Sequence, residues 1–315
     1  MVDALRVAFF GTPQFAVPTL QKLLASRHTV CGVVTQPDRA RGRGHQLSDA
    51  PVKAVAVEHG LPLLQPTRLT DSAFAAALRA WRPDIGVVAA YGRLIPDDIL
   101  ALPRLGMINV HASLLPKYRG AAPIQRAIID GEAVTGITIM RVETLLDAGA
   151  MLGKVTRSIG PDETSDVVER DLAQRGADLL LEVLEQVAAG TAQEERQDFM
   201  LATFAPRLTK EEGAIDWSLP AAFIHNRVRG LHPWPHASTH LEGARIILLK
   251  TRVDAGRTDA SPGTIVELST DAIHVAAGHG ERLAIERLQP EGRRPMSARD
   301  FIAGHRLRAG MTFSN

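Results

Sequence analysis

The sequence predicts an α/β fold in which a doubly wound, mostly parallel sheet is followed by a second, smaller β domain. In roughly the first 200 residues, strand-like apolar runs alternate with segments of helical spacing, the order expected of a parallel sheet covered by helices. From Pro206 onward the runs are short, and Gly, Asp, Thr and Ser separate them, which is typical of a small antiparallel barrel or sandwich. The length of 315 residues also suits two domains.

Local patterns predict the individual elements. Leu5–Phe10 is an apolar run closed by Gly11, and Asp84–Ala90 is a nearly continuous apolar run, as in strands buried on both faces. Thr164–Ala189 has the spacing of a long amphipathic helix. Further strands are expected at Thr29–Thr35, Leu61–Leu64, Gly106–His111, Thr135–Val142, Ala244–Val253, Gly263–Leu268, Ala272–Ala276 and Arg282–Leu288, and further helices at Phe15–Ala25, Pro51–His59, Asp71–Trp81 and Ala221–Arg229. We therefore expect one domain over residues 1–189, a linker over 190–206 and a second domain over 207–315.

The composition excludes several classes of protein. A hydrophobic fraction of 45% is too high for a disordered chain, and no uninterrupted apolar run approaches the ~20 residues of a membrane helix. Asp3 and Arg6 interrupt the first apolar stretch, so it is not a signal peptide. The single cysteine cannot form an intrachain disulfide, and no cysteine cluster suggests zinc. We expect a cytoplasmic protein with no membrane segment and no bound metal.

A long charged segment follows the second predicted strand. Gln36–Lys53 carries Arg39, Arg41 and Arg43 on a glycine-rich backbone without apolar periodicity, so we expect a flexible loop. Its 18 residues are many for a connection between a strand and a helix, and long loops of this kind are usually functional. Arginine on such a backbone suits phosphate groups, including those of nucleic acid, and a solvated charged loop is the alternative interpretation.

The strongest candidate for chemistry lies at the end of the predicted strand Gly106–His111. Asn109 and His111 are two residues apart, so a strand projects both side chains to one face, at the end where ligands bind in doubly wound sheets. An asparagine amide can donate to a developing oxyanion, and histidine can donate or accept a proton. No G-x-S-x-G nucleophile motif accompanies them, which favours direct transfer between bound substrates. A purely structural histidine is the alternative.

An acidic partner for the histidine follows the predicted strand Thr135–Val142. Asp147 lies in a loop next to Gly149, and a carboxylate near a histidine favours the charged ring. A plain turn residue is the alternative interpretation of Asp147.

These segments together resemble the methionyl-tRNA formyltransferases, and the resemblance spans nearly the whole chain. Asn-x-His followed by Ser-Leu-Leu-Pro is shared with the wider group of formyltetrahydrofolate-dependent transferases, whereas the arginine-rich loop and the basic second domain resemble the tRNA branch. The segments that carry the resemblance are Phe10–Pro18, Gln36–Arg39, Gly42–Gly44, Asn109–Pro116, Tyr118–Gln125, Thr138–Met140 and Gly230–Pro235.

The resemblance implies a reaction, its partners and its site residues. The formyl group of 10-formyltetrahydrofolate would pass to the α-amino group of methionine on initiator tRNA by direct attack through a tetrahedral intermediate. The second domain would be an OB-like barrel that helps to hold tRNA, and we expect a monomer. Position by position, the family's catalytic trio corresponds to Asn109, His111 and Asp147, and its folate-binding stretch corresponds to Ser113, Leu114, Leu115 and Pro116. The family's insertion that meets the acceptor stem corresponds to the segment with Arg39, Arg41 and Arg43. Other possible tRNA contacts in the second domain are Arg207, Arg229, Lys250 and Arg252.

One segment departs from the family pattern. The family commonly has Gly-Leu-Asp-Thr-Gly-Asp around the catalytic aspartate, where this chain has Leu-Leu-Asp-Ala-Gly-Ala over Leu145–Ala150. If the family glycine needs a positive φ, Leu145 would be strained. The loop that lies against folate would then sit differently.

Three other functions fit parts of the pattern. A formyltransferase for an amino sugar nucleotide would use the same trio, but such a small acceptor needs no tRNA-sized basic surface. A relative that binds RNA without catalysis would explain the changes at Leu145, Ala148 and Ala150, but the trio is intact. A hydrolase that deformylates folate would need no basic second domain.

Overall fold

The computed structural model describes residues 4–41 and 46–314, which fold into two compact units. The first unit contains the described residues up to Pro123, together with Val134–Arg157 and Glu169–Ala205. The second unit contains Ile124–Ala133, Ser158–Val168 and the described residues from Pro206 onward. The sequence predicted a linker over 190–206, whereas most of this stretch, through residue 205, belongs to the first unit.

A seven-stranded sheet forms the centre of the first unit. Up to residue 205 the strands are β1 (Arg6–Gly11), β2 (Thr29–Val34), β3 (Arg39–Arg41), β4 (Gln46–Ser48), β5 (Leu63–Leu64), β6 (Ile85–Ala89), β7 (Met107–His111), β8 (Arg119–Gly120), β9 (Val134–Arg141), β10 (Met151–Ser158) and β11 (Phe204–Ala205). The order is β10-β9-β7-β6-β1-β2-β5; the pairs from β7 to β5 are parallel, and β9 is antiparallel to β7. The predicted mostly parallel sheet is confirmed.

The helices of this part of the chain begin where the sequence provides starting signals. They are α1 (Val17–Leu24), α2 (Pro51–Glu58), α3 (Ser72–Ala80), α4 (Asp97–Leu100), α5 (Pro123–Ile129) and α6 (Ser165–Ala189). Both α1 and α2 have proline in the first turn, where its missing N–H costs no hydrogen bond. Asp71 caps α3 by accepting the backbone N–H of Ala73 at 3.0 Å.

The strands that end near the candidate site are packed on both faces. Every residue of β6 is buried, as its continuous apolar run predicts. Phe10 of β1 meets Tyr91 edge to face, with 5.6 Å between ring centroids, and Leu78 of α3 belongs to the same core. Burial raises the pKa of Tyr91 to about 12, so its hydroxyl is neutral at physiological pH. The carboxyl ends of β1 and β6 therefore rest on a close-packed core.

The charged segment after β2 is more regular than the sequence predicts. Strands β3 and β4 pair antiparallel, with Arg39 opposite Ser48 and Arg41 opposite Gln46. The expectation of a wholly flexible loop is therefore wrong for these strands, which form a hairpin. Backbone pairing does not depend on apolar periodicity, and the charged side chains of this segment masked its strand character. We name residues 39–48 the arginine hairpin; the predicted tRNA contact Arg43 lies outside the described residues.

The second unit is an antiparallel β structure, as predicted. Its strands are β12 (Ala237–Leu241), β13 (Ala244–Asp254), β14 (Ile265–Leu268), β15 (Ile273–Ala276), β16 (Arg282–Pro290), β17 (Met296–Ser297) and β18 (Phe313–Ser314), and its further helices are α7 (Ala221–Gly230) and α8 (Ala298–Gly304). The order is β14-β15-β16-β13-β12-β18, with β17 beside β16. The sequence missed β12 and α8, because neither has a long apolar run.

Two absences apply to the residues that the structure describes. Among them, no helix is both long and apolar enough to cross a lipid bilayer. Within the same ranges, no group of three or more His, Cys, Asp or Glu side chains is arranged to hold a metal ion.

Candidate active site

Strand β7 brings two polar side chains to the carboxyl end of the sheet. Asn109 and His111 alternate with the buried Val110, so both project to the opposite face from it. The Asn109 side chain is half-buried, and among the described residues its amide has no hydrogen-bond partner in the protein. Its two N–H groups are thus available to an acceptor on a ligand.

Both ring nitrogens of His111 face oxygen atoms of the protein. The ring is buried, with Nε2 3.0 Å from the carbonyl oxygen of Tyr118 and Nδ1 3.6 Å from Oδ2 of Asp147. Either ring nitrogen that carries a hydrogen can therefore donate it to an oxygen of the protein. The structure therefore brings His111 and Asp147 together, as their assignment to one site predicts.

Asp147 lies in the loop between β9 and β10 with a left-handed backbone. Its φ is 48°, a conformation that aspartate tolerates better than most residues. Its Oδ2 accepts the backbone N–H of Gly120 at 2.8 Å. Gly120 has φ of 127°, and a Cβ there would lie 2.6 Å from the carbonyl oxygen of Ala205, so only glycine fits. The carboxylate is thus fixed between a backbone N–H and the histidine ring.

The departures from the family pattern are accommodated without the expected strain. Asp147, and not Leu145, has the positive φ in this loop, so the expectation of a strained Leu145 is wrong. The Leu145 side chain is 64% exposed and therefore displaces no core residue. Glycine is needed at Gly149 instead, because a Cβ there would lie 2.1 Å from the carbonyl oxygen of Arg141.

A buried glutamine that the sequence did not single out supports this loop. Gln197 is 5% exposed, although it lies in the polar stretch that was predicted to be a linker. Its Nε2 donates to the carbonyl oxygens of Asp147 and Gly149, each at 2.8 Å. Its Oε1 accepts from Nε and Nη2 of Arg119 at 3.1 and 2.7 Å. No motif signalled this role, because a glutamine among charged residues normally indicates a solvated segment.

The predicted folate stretch turns two of its side chains into the protein. Ser113 Oγ donates to the carbonyl oxygen of Lys117 at 2.6 Å, and the Ser113 carbonyl accepts from Thr138 Oγ1 at 2.7 Å. Leu115 packs in a small core with Met140 and Met151, and its N–H donates to Thr138 Oγ1.

Leu114 and Pro116 are only partly buried, and the peptide bond before Pro116 is cis. The side chains of Ser113 and Leu115 therefore shape this segment, and its remaining surface is offered by Leu114, Pro116 and the backbone.

The base of the arginine hairpin is held by a partly buried lysine and two aspartates. Lys53 Nζ lies 2.6 Å from Asp38, which precedes β3, and 2.7 Å from Asp49, which follows β4. The hydrogen bond from Lys53 holds the pKa of Asp38 below its usual range, and the bond to Asp38 raises the pKa of Lys53. Both ends of the hairpin that carries Arg39 and Arg41 are thus tied to one side chain.

The basic residues of the second unit differ in how far their side chains are exposed to solvent, and thus in whether they could contact tRNA. Arg229 is buried, and its guanidinium donates to the carbonyl oxygens of Gly160 and Glu163, so it is not free to meet tRNA. Lys250 and Arg252 are about half exposed and share Glu286 as partner, at 2.8 and 3.1 Å. Arg207 is exposed. The sequence could not distinguish the buried arginine from the exposed ones.

The site favours transfer without a covalent enzyme intermediate. Cys31 is the only cysteine, it is buried, and burial raises the pKa of its thiol, so a thiolate nucleophile is disfavoured. The hydroxyl of Ser113 is committed to a carbonyl oxygen. An amide donor can stabilise an oxyanion, and a histidine beside a carboxylate can move one proton. Fold and site together define an α/β enzyme of the group-transfer class.

Comparison with known proteins gives the family. Residues 5–184 match the formyl transferase family, and residues 207–306 match the formyl transferase C-terminal domain. The two matches cover most of the chain, which therefore belongs to the formyl transferase family.

Named relatives are similar over nearly the full length. A methionyl-tRNA formyltransferase of Methylococcus capsulatus is 47% identical over 96% of this chain and 98% of its own. One from Geobacter metallireducens is 46% identical over 98% of each. Among solved structures, HypX from Aquifex aeolicus in complex with tetrahydrofolic acid has a TM-score of 0.62 at 16% identity, and the match covers 95% of this chain. This chain spans about half of HypX, 47% of its length, so that likeness bears on the fold alone.

Proposed function

We propose that this protein transfers the formyl group of 10-formyltetrahydrofolate to the α-amino group of methionyl initiator tRNA. The observation that carries the proposal is the pairing of His111 with Asp147, 3.6 Å apart beside an unpartnered Asn109 amide, in a chain 47% identical to a methionyl-tRNA formyltransferase. The product, formylated initiator tRNA, serves translation initiation in the cytoplasm. No step requires a metal ion.

The catalytic trio performs the chemistry by stabilising charge and moving a proton. The folate supplies an N-formyl group, whose carbonyl carbon is attacked by the free amine of methionine. Asn109 donates from its amide to the oxygen on which negative charge develops. His111, oriented by Asp147, turns the hydrogen that Nε2 shares with Tyr118 toward that oxygen, and a proton reaches the leaving folate nitrogen. The amine enters as the free base and its proton leaves with the folate, so no net proton is consumed.

The folate donor lies along Ser113, Leu114, Leu115 and Pro116. The half-buried Leu114 and Pro116 offer apolar surface to its rings, while Ser113 and Leu115 hold the backbone through Lys117 and Thr138. The exposed Leu145 and Leu146 add apolar surface beside Asp147. These residues fit an aromatic, amide-bearing ligand, since such ligands need apolar walls with few directed polar groups.

Arginine and lysine contacts to phosphate bind the tRNA. Arg39, Arg41 and Arg43 of the arginine hairpin meet the acceptor stem, residues 1–189 carry the chemistry, and residues 207–315 hold the body of the tRNA. Arg207, Lys250 and Arg252 are exposed enough to contribute there, each to phosphate rather than to base edges. The enzyme acts as a monomer.

A two-acceptor assay tests the proposal against its nearest alternative. The protein is incubated with 10-formyltetrahydrofolate and either methionyl initiator tRNA or a nucleotide-linked amino sugar, and formylated product is measured. We expect rapid transfer to the tRNA and no measurable transfer to the sugar. Transfer to the sugar alone would contradict the proposal, and folate binding without transfer to either acceptor would also contradict it.

A further inference from the structure

Gln197 is a buried side chain that contacts both the Asp147 loop and strand β8. Its amide uses both hydrogens on the carbonyls of Asp147 and Gly149, and its oxygen accepts twice from Arg119. The orientation is unambiguous, since a flipped amide would set its oxygen against two carbonyl oxygens and its N–H groups against a guanidinium. The side chain is therefore fully satisfied in one pose.

The loop that Gln197 holds contains a residue in the left-handed backbone region. Asp147 has φ of 48°, and residues in sparsely populated backbone regions persist only where their surroundings determine them fully. Gln197 binds the backbone carbonyl of Asp147, and the N–H of Gly120 binds its carboxylate. Both ends of the residue are thus held from outside the loop.

The anchor on the other side of Gln197 is also immobilised. Arg119 is 4% exposed, and its guanidinium carbon lies 4.6 Å from the ring centre of Phe199. Arg119 precedes Gly120 in β8, so the same short strand orients Gln197 and donates to the Asp147 carboxylate. Phe199 and Gln197 both come from the stretch that precedes β11, which pairs with β8.

From this geometry we propose that Gln197 is a positioning residue, which holds Asp147 beside His111 for formyl transfer. The inference rests on the proposed function, since it presumes that the His111–Asp147 pair takes part in the reaction. Gln197 acts through Asp147 and touches neither substrate. Its removal should therefore lower kcat more than it raises either KM.

Two substitutions separate the two sides of the amide. Gln197→Glu keeps an acceptor for Arg119 but replaces both N–H donors to the loop carbonyls with an oxygen. Gln197→Met removes the acceptor for Arg119 as well as the donors to the loop. The charge that Glu introduces is controlled by Gln193→Glu, because Gln193 is exposed in the same stretch and bonds only locally to Thr191. Gln197→Glu retains a partner for the buried guanidinium, so it tests the inference even if Gln197→Met fails to fold.

We expect kcat to fall by about 10- to 100-fold in Gln197→Glu, the loss typical of a small displacement of a catalytic group. Both KM values should stay within about twofold, and Gln193→Glu should match the wild type. When Gln197→Glu is added to Asp147→Asn, kcat should fall by a further factor of less than about three. The effects of two residues that act as one unit are not additive.

The outcomes distinguish the inference from the proposed function. Unchanged kcat in Gln197→Glu, or an undiminished loss in the Asp147→Asn background, would overturn the positioning role while leaving the proposed function standing. Full activity of Asp147→Asn alone would overturn the part of the proposed function on which this inference depends.

Discussion

The proposed catalytic trio and the arginine hairpin are held in opposite ways. Around Asp147, buried partners fix the carboxylate, the backbone carbonyl and the neighbouring histidine ring. In the arginine hairpin, Lys53 fixes only the two ends, through Asp38 and Asp49. The difference follows from the chemistry, because an oxyanion must be met within tenths of an ångström, whereas phosphate attraction falls off over a Debye length of about 8 Å. Substitutions should therefore be costly in kcat at the first region and mild at the second.

The largest effect is expected at Asn109. Asn109→Ala removes one donor to the developing oxyanion and should lower the rate of formyl transfer by about 10²- to 10³-fold, with little change in either KM. Asn109→Asp, which keeps the size but loses the amide donors, should be similarly impaired. Single-turnover rates at saturating folate and tRNA check this. Near-full turnover by Asn109→Ala would exclude Asn109 from the mechanism. It would also contradict the expectation that substitutions in the trio lower kcat more than substitutions in the arginine hairpin.

An intermediate effect is expected at the arginine hairpin. Arg41→Ala should weaken tRNA binding and reduce the slope of log K against log salt by about 0.7–0.9, the value for one lost phosphate contact. The rate at saturating tRNA should hardly change. Arg79→Ala is the matched control, because Arg79 is exposed on α3 in the same unit. Binding titrations across salt concentrations measure both. An unchanged slope would show that Arg41 makes no phosphate contact.

The smallest effect is expected at the hairpin base. Lys53→Met removes the side chain that joins Asp38 to Asp49, so the KM for tRNA should rise by a few-fold, about the effect of a weakened ion pair, while kcat and the KM for folate stay constant. Lys22→Met is the control, because Lys22 pairs with Asp178 on another surface. A fall in kcat would mean that the hairpin also shapes the catalytic centre.

The Lys53 pair also has a defined pH dependence. The pKa of Asp38 is lowered in the folded protein, mainly by its hydrogen bond from Lys53. The ion pair between Asp38 and Lys53 therefore stabilises the hairpin base fully above the ordinary aspartate pKa. This stabilisation is lost as the pH falls through the lowered pKa of Asp38. The tRNA affinities of wild type and Lys53→Met should thus differ at pH 7 and converge only in acid.

Local patterns predicted the elements that position the strand residues of the site. Apolar runs located β6 and β7, and a spacing of two placed Asn109 and His111 on one face. The loop position of Asp147 beside Gly149 and the family resemblance both indicated this residue, but no local pattern encodes its distance from His111. The contacts that hold these three side chains could not be predicted from the sequence.

The remaining features depend on packing between distant segments. Gln197 lies 50 residues from Asp147 in sequence, and a polar stretch gives no sign that one of its side chains is buried. The positive φ of Asp147 and the N–H that Gly120 donates to it arise from loop closure, which residue types do not reveal. The pairing of β3 with β4 was hidden by their charged side chains.

The most direct test of the central claim is single-turnover formyl transfer from 10-formyltetrahydrofolate to methionyl initiator tRNA, with wild type beside His111→Ala. The account predicts rapid transfer by the wild type and a loss of at least about 10²-fold in the variant, which retains tRNA and folate binding. Equal rates for the two proteins would contradict the assignment of His111, and no transfer by the wild type would contradict the proposed function itself.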